Sequence, residues 1–107
     1  MPRIPLNGTF LSYEDEGEGK ALVFIPGLGA THGMFEPQAG AFRATHRLIR
    51  PDLRGNGKSG QLAGPIASIL DRQCDDLTAL LDHLNLAEVV MVGVSYGGAV
   101  ALRVCKL

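Results

Sequence analysis

This sequence has almost no net charge. Ten Lys and Arg stand against eleven Asp and Glu, giving −1 over 107 residues, and the cations are scattered with no basic run. No nucleic-acid or anionic-membrane partner is therefore expected. Long apolar runs are missing as well. No stretch approaches the roughly 20 residues of a membrane span, and Met1 to Gly8 lacks the apolar core of a secretory signal, so export by that route is not expected. Cysteine is scarce: Cys74 and Cys105 stand without metal or redox spacing. They read as free thiols in a reducing cytoplasm, with no metal and no cofactor expected. Repeats and low-complexity segments are not seen, and a chain of this length makes a single domain, residues 1–107.

What is present is concentrated in Val89-Val90-Met91-Val92-Gly93-Val94-Ser95-Tyr96-Gly97-Gly98. A β-branched apolar run enters Gly-x-Ser-x-Gly, and a small-residue, helix-forming segment (Gly98, Ala99, Val100, Ala101, Leu102) leaves it. Strand, sharp turn, helix is the order that a nucleophilic serine needs to stand exposed at the end of a sheet. A turn this tight strains the backbone at Ser95 and crowds it at Gly93, Gly97 and Gly98, where side chains would clash. The plainer alternative is a strand-to-helix turn with no chemistry.

The rest of the chain supplies the setting. Gly8 to Glu14 alternates between faces and reads as an early antiparallel strand, followed by a turn at Glu16-Gly17-Glu18-Gly19. Ala21 to Ile25 is a continuous apolar run, the mark of a strand buried on both faces. It ends in the breaker cluster Pro26-Gly27-Leu28-Gly29. Met34 to Arg43 is a short helix, His46 to Asp52 a further strand, and Arg54 to Gly60 a loop. From Ile69 to Leu86 the residues Leu70, Leu77, Leu80, Leu81 and Leu84 recur at helical spacing, with Asp71, Asp75, Asp76 and Asp82 read as the solvated side. Alternating strands and helices predict a mostly parallel α/β sheet with helices on both faces. Right-handed crossovers and the order of strands in the family resembled below put Ala21–Ile25 between the strands ending at Pro51 and Val94.

Three motifs fall in order on this topology: Pro26-Gly27-Leu28-Gly29, Asp52-Leu53-Arg54-Gly55-Asn56-Gly57-Lys58-Ser59, and Gly93-Val94-Ser95-Tyr96-Gly97-Gly98. Together they resemble the N-terminal part of an α/β-hydrolase, the family of small carboxylesterases and enol-lactonases, over nearly the whole chain. The fold expected is an incomplete α/β-hydrolase fold. The resemblance implies Ser95 as nucleophile and the Leu28 and Tyr96 backbone N–H groups as oxyanion hole. Gly27 then belongs to the first turn, and Gly93, Gly97 and Gly98 to the second. Where that family usually has His-Gly, this chain has Pro26-Gly27, a mild departure because the working group is a main-chain N–H. The Asp52 to Ser59 loop is expected to be structural, with Asp52 and Arg54 bonding the loop to itself.

In the resembled fold the acid and histidine follow the serine along the chain. Nothing after Ser95 is acidic or histidine. Of the three histidines before it, His32 alone is expected near the carboxyl ends of the strands, without an evident acidic partner; His46 opens a strand and His83 lies in a helix. A serine hydroxyl without a base is a poor nucleophile. The expectation is a truncated piece of a longer hydrolase, nearly inert alone, whose Val89–Val94 strand is an open apolar edge apt to drive self-association. The substrate implied is a small-molecule ester, lactone or thioester. A non-catalytic short form that pairs through its strand edge, and an acyltransferase on the same scaffold, are the alternatives.

Overall fold

Every residue of the strand Ala21–Ile25 is buried, as its unbroken apolar run predicts. The computed structural model describes residues 1–62 and 65–105. Its elements are β1 (Arg3–Leu6), β2 (Thr9–Glu16), β3 (Ala21–Ile25), α1 (Glu36–Phe42), β4 (Arg47–Pro51), α2 (Ile69–His83), β5 (Val89–Gly93) and α3 (Tyr96–Cys105), with 3₁₀ turns at His32–Phe35 and Ile66–Ser68. The strands form one sheet in the order β1-β2-β4-β3-β5. β4, β3 and β5 run parallel, with Val23 opposite both Ile49 and Met91. β2 and β1 join antiparallel beyond β4. The sheet is mostly parallel, and β3 takes the expected place between β4 and β5.

Side chains alternate across a strand, which explains the two cores. Leu22, Phe24 and Leu48 point to one face and are covered by Phe35 and Ala39 of the α1 segment. Val23, Ile25 and Ile49 point to the other and meet Leu77, Leu80 and Val100 of α2 and α3. Helices cover both faces. Among the described residues no helix is long and apolar enough to cross a membrane.

Several details differ from the sequence reading. β1 was not expected; it pairs with β2 through a two-residue turn, Asn7-Gly8, whose φ values of 45° and 77° are both left-handed, the geometry of a tight hairpin. The helix expected from Met34 to Arg43 is a 3₁₀ turn followed by the shorter α1, with Pro37 in its first turn. Of the last helix, α3 is described to Cys105; Lys106 and Leu107 lie outside the described residues. Asp76 corrects the reading of a solvated acidic face. It is fully buried and takes a two-pronged ion pair from Arg54, Nε to Oδ2 at 2.8 Å and Nη2 to Oδ1 at 2.9 Å. Asp75 and Asp82 are exposed as expected.

β5 is the sheet's edge strand, bonded to β3 alone. Val89 and Met91 face the α2–α3 core, while Val90, Val92 and Val94 face the α1 side and stay 41%, 37% and 40% exposed.

Candidate active site

The β3–β5 pairing runs one residue past β5, with the Val94 N–H donating to Ile25 O at 3.2 Å, and the chain then reverses. Gly97 N–H donates to Val94 O and Gly98 N–H to Ser95 O, each at 2.9 Å, closing the turn into α3. Ser95 sits at its apex, exposed, with φ of 54°. A serine held in the left-handed region costs on the order of 1 kcal/mol or more, and persists only where its surroundings over-determine it.

The neighbouring glycines do that. A Cβ on Gly97 would overlap Ile25 O and lie 2.6 Å from Pro26 O; one on Gly93 would overlap Gly97 O and lie 2.6 Å from Gly98 N. Strand, turn and helix approach too closely for side chains at either position. Gly98 is different from the sequence expectation: a Cβ there would meet nothing nearer than Gly93 O at 3.7 Å, an ordinary contact.

The loop after β3 lies against the same apex. A Cβ on Gly27 would stand 3.3 Å from Val94 O and 3.9 Å from Ser95 Cβ. Gly27 to Ala30 forms a turn, Ala30 N–H to Gly27 O at 3.0 Å, with Gly29 at φ 73° and Leu28 79% exposed at its tip. Among the described residues, neither the Leu28 N–H nor the Tyr96 N–H donates to a backbone or side-chain acceptor. Tyr96 opens α3, where the first amides have no intrahelical partner and the helix dipole favours negative charge.

His32 corrects the reading that it lacks an acidic partner. Its main-chain N–H and its Nδ1 both reach Oδ1 of Asp52 at 2.8 Å. Asp52, at the carboxyl end of β4 and fully buried, also accepts from the Lys58 N–H at 3.0 Å through Oδ2, while Ser59 Oγ donates to its carbonyl at 2.6 Å. Asp52 thus binds its own loop, as expected, and the neighbouring loop as well. Arg54 does not. It leaves the loop for Asp76 and for the Asn7 carbonyl, 3.1 Å from Nη2. His46 precedes β4, at the opposite end of the sheet, bonded to Thr45 Oγ1, and His83 is exposed at the end of α2.

One residue that sequence reasoning missed touches the site. Gln73 is buried on α2; its Nε2 donates to Arg54 O at 3.0 Å, and its Oε1 accepts from the Tyr96 hydroxyl. Burial pushes the Tyr96 phenol above its ordinary pKa, so it stays a donor. A cleft of about 490 Å³, lined by Lys20, Glu88, Val89 and Cys105 among others, opens at the amino end of β5, away from Ser95. Near Ser95, beside Val94, there is a smaller depression of about 250 Å³ between Met34, Phe35, Gln38, Val92 and Val94. No group of three or more His, Cys, Asp or Glu among the described residues is placed to hold a metal.

A family model described as alpha/beta hydrolase fold matches residues 20–107. The 3-oxoadipate enol-lactonase 1 of Acinetobacter baylyi is 34% identical over 97 residues, 89% of this chain and 35% of that protein. An esterase from Exiguobacterium antarcticum superposes with a TM-score of 0.84 at 33% identity, over 91% of this chain and 36% of the other. An epoxide hydrolase from Bacillus megaterium superposes with a TM-score of 0.88 over 97% of this chain and 37% of the other; at 21% identity that likeness is one of fold. The chain spans about a third of the length of the curated relatives it matches.

Proposed function

This chain belongs to the α/β-hydrolase fold family, and we propose that it carries the nucleophile and oxyanion donors of a serine hydrolase acting on carboxylic esters, lactones or thioesters. The observation that carries the reading is Ser95 itself, exposed at φ 54° where a buried parallel sheet ends. Its Oγ attacks the carbonyl carbon. The carbonyl oxygen, gaining negative charge, is received by the Leu28 and Tyr96 N–H groups; one such donor is typically worth about 3 to 4 kcal/mol in the transition state. The alcohol or thiol then leaves, and water releases the acid from the acyl-serine. A lactonase and an esterase among the relatives support this substrate class. The two unpaired cysteines suit a reducing cytoplasm.

Attack also needs a base to take the Oγ proton. No histidine or acid follows Ser95 in these 107 residues, so the reading draws acid and base from chain beyond them. A non-catalytic reading, in which the β5 edge pairs with another chain, is favoured by the exposed Val90, Val92 and Val94.

Activated oxygen esters and thioesters distinguish the two, assayed on the 107-residue chain and on a form extended to the length of its relatives, each with and without Ser95→Ala. The expected result is negligible turnover by the short form and ready turnover by the long one, lost in Ser95→Ala. Indifference of the long form to Ser95→Ala would overturn the proposal. Ordinary enzymatic rates from the short form alone would place the base within it, and His32→Gln would then identify it.

A further inference from the structure

Gln73 is buried on a helix face that it shares with Cys74, Asp76, Leu77, Leu80 and Leu81, and a buried amide there calls for a physical reason. Gln73 is 3% exposed and both ends of its amide are engaged: Nε2 on the Arg54 carbonyl at 3.0 Å, Oε1 on the Tyr96 hydroxyl. We infer that Gln73 is a positioning residue that fixes the Tyr96 N–H toward the oxyanion through the Tyr96 side chain. The inference rests on the function proposed above.

The Tyr96 N–H shares its peptide plane with the Ser95 carbonyl, so rotation of that plane, about Ser95 ψ and Tyr96 φ, would swing the N–H away from the substrate. The bonds of Gly97 and Gly98 hold the turn from the helix side. On the other side stands the Tyr96 ring, which has only two side-chain torsions. Pinned at its hydroxyl, it leaves its own backbone little freedom.

The pin is itself rigid. Gln73 lies within the 15-residue helix α2, next to the core residues Cys74 and Leu77. Its second contact, the Arg54 carbonyl, belongs to a residue clamped by Asp76 at 2.8 and 2.9 Å. A chain of satisfied buried groups therefore runs from Asp76 through Arg54 and Gln73 to the residue after the nucleophile. None of these side chains is placed to touch substrate; the effect passes through the Tyr96 amide.

The test measures the rate at which a fluorophosphonate modifies Ser95 in the 107-residue chain. In that reaction Oγ bonds to phosphorus, the P–F bond breaks, fluoride leaves and the Oγ proton passes to solvent, with the phosphoryl oxygen in the oxyanion site. Tyr96→Phe removes one oxygen and keeps the N–H; Gln73→Met keeps the bulk and removes both polar ends. Each should slow labelling of the folded protein about tenfold, the upper range for one neutral hydrogen bond. The double variant should be no slower than the slower single one, because both break the same link. The Tyr96 amide cross-peak in a ¹H–¹⁵N spectrum should shift or broaden in both. If Gln73→Met does not fold, Tyr96→Phe alone decides by the same two readouts. Wild-type rates and an unmoved Tyr96 amide in a variant with lowered melting temperature would mean that the link is structural only, and would overturn the inference. Failure of the wild-type chain to label at Ser95 would instead strike the function on which it rests.

Discussion

His32 grips the Asp52 carboxylate twice, through its main-chain N–H and through Nδ1, both 2.8 Å from the same oxygen. The loop after β3, which carries Leu28, is thereby tied to the loop after β4. A carboxylate oxygen only accepts, so the Nδ1 of His32 carries a proton.

Asp52→Ala strands three N–H donors, two of His32 and one of Lys58. A hydrogen bond to a charged group is worth about 1.5 to 3 kcal/mol net; His32 and Lys58 are reached by water, which replaces part of each bond, so the variant should lose about 3 kcal/mol in urea unfolding. Asp52→Asn retains an acceptor and should lose less. Equal stability of wild type and Asp52→Ala would show that the clamp contributes nothing.

Arg54 and Asp76 should behave as a pair. Removing one charge from a buried ion pair costs about 3 to 5 kcal/mol, whereas replacing both with well-packed apolar residues is often neutral. Asp76→Leu is therefore expected to be far less stable than Arg54→Met combined with Asp76→Leu. Denaturant melts of the wild type, both singles and the double measure the coupling directly.

Acid should loosen the α1 side of the sheet. The Arg43 guanidinium, bonded to Glu16 at 2.8 Å, holds the Glu16 carboxyl below its ordinary pKa, and Arg50 followed by Arg43 does the same for Glu36. Folded values below unfolded ones mean stabilisation that is present above pH about 4.3. It is lost as pH falls through the depressed values. The melting temperature should drop over that acid interval, and Glu16→Gln should flatten the drop. Since Glu36 is exposed and Glu16 partly so, the effect will be small and will shrink in salt.

Gly97 and Gly98 are adjacent but should respond oppositely to alanine. At Gly97 a methyl overlaps the Ile25 carbonyl, whereas at Gly98 it meets nothing within 3.7 Å. Gly97→Ala should not give soluble folded protein. Gly98→Ala, within α3, should be neutral or stabilising by up to about 1 kcal/mol, as expected of Gly→Ala in a helix. Circular dichroism melts of the two variants decide it.

The sequence made the strand at Ala21–Ile25, the Gly-x-Ser-x-Gly turn and the adjacency of the three parallel strands legible, because each depends on local pattern and a short list of topologies. The Asn7-Gly8 hairpin carries an equally local signal. The position of Asp76 speaks against exposure. With Gln73, Leu77 and Leu80 it completes a stripe at helical spacing, so an acid there had to be buried and partnered. Its partner could not be named in advance, since Arg54 lies in a loop whose side-chain direction no periodicity fixes. The same holds for His32 and Asp52: neighbouring strands put their loops side by side, but only coordinates show which atoms meet.

Covalent capture tests the role of Ser95 most directly. The 107-residue chain, incubated with a fluorophosphonate and examined by intact mass and peptide mapping, should gain one adduct, on Ser95, and Ser95→Ala should gain none. Formation should be slow beside a complete serine hydrolase, since no histidine follows the serine to take its proton. An adduct mapped to another residue, or equal labelling of Ser95→Ala, would contradict Ser95 as the nucleophile.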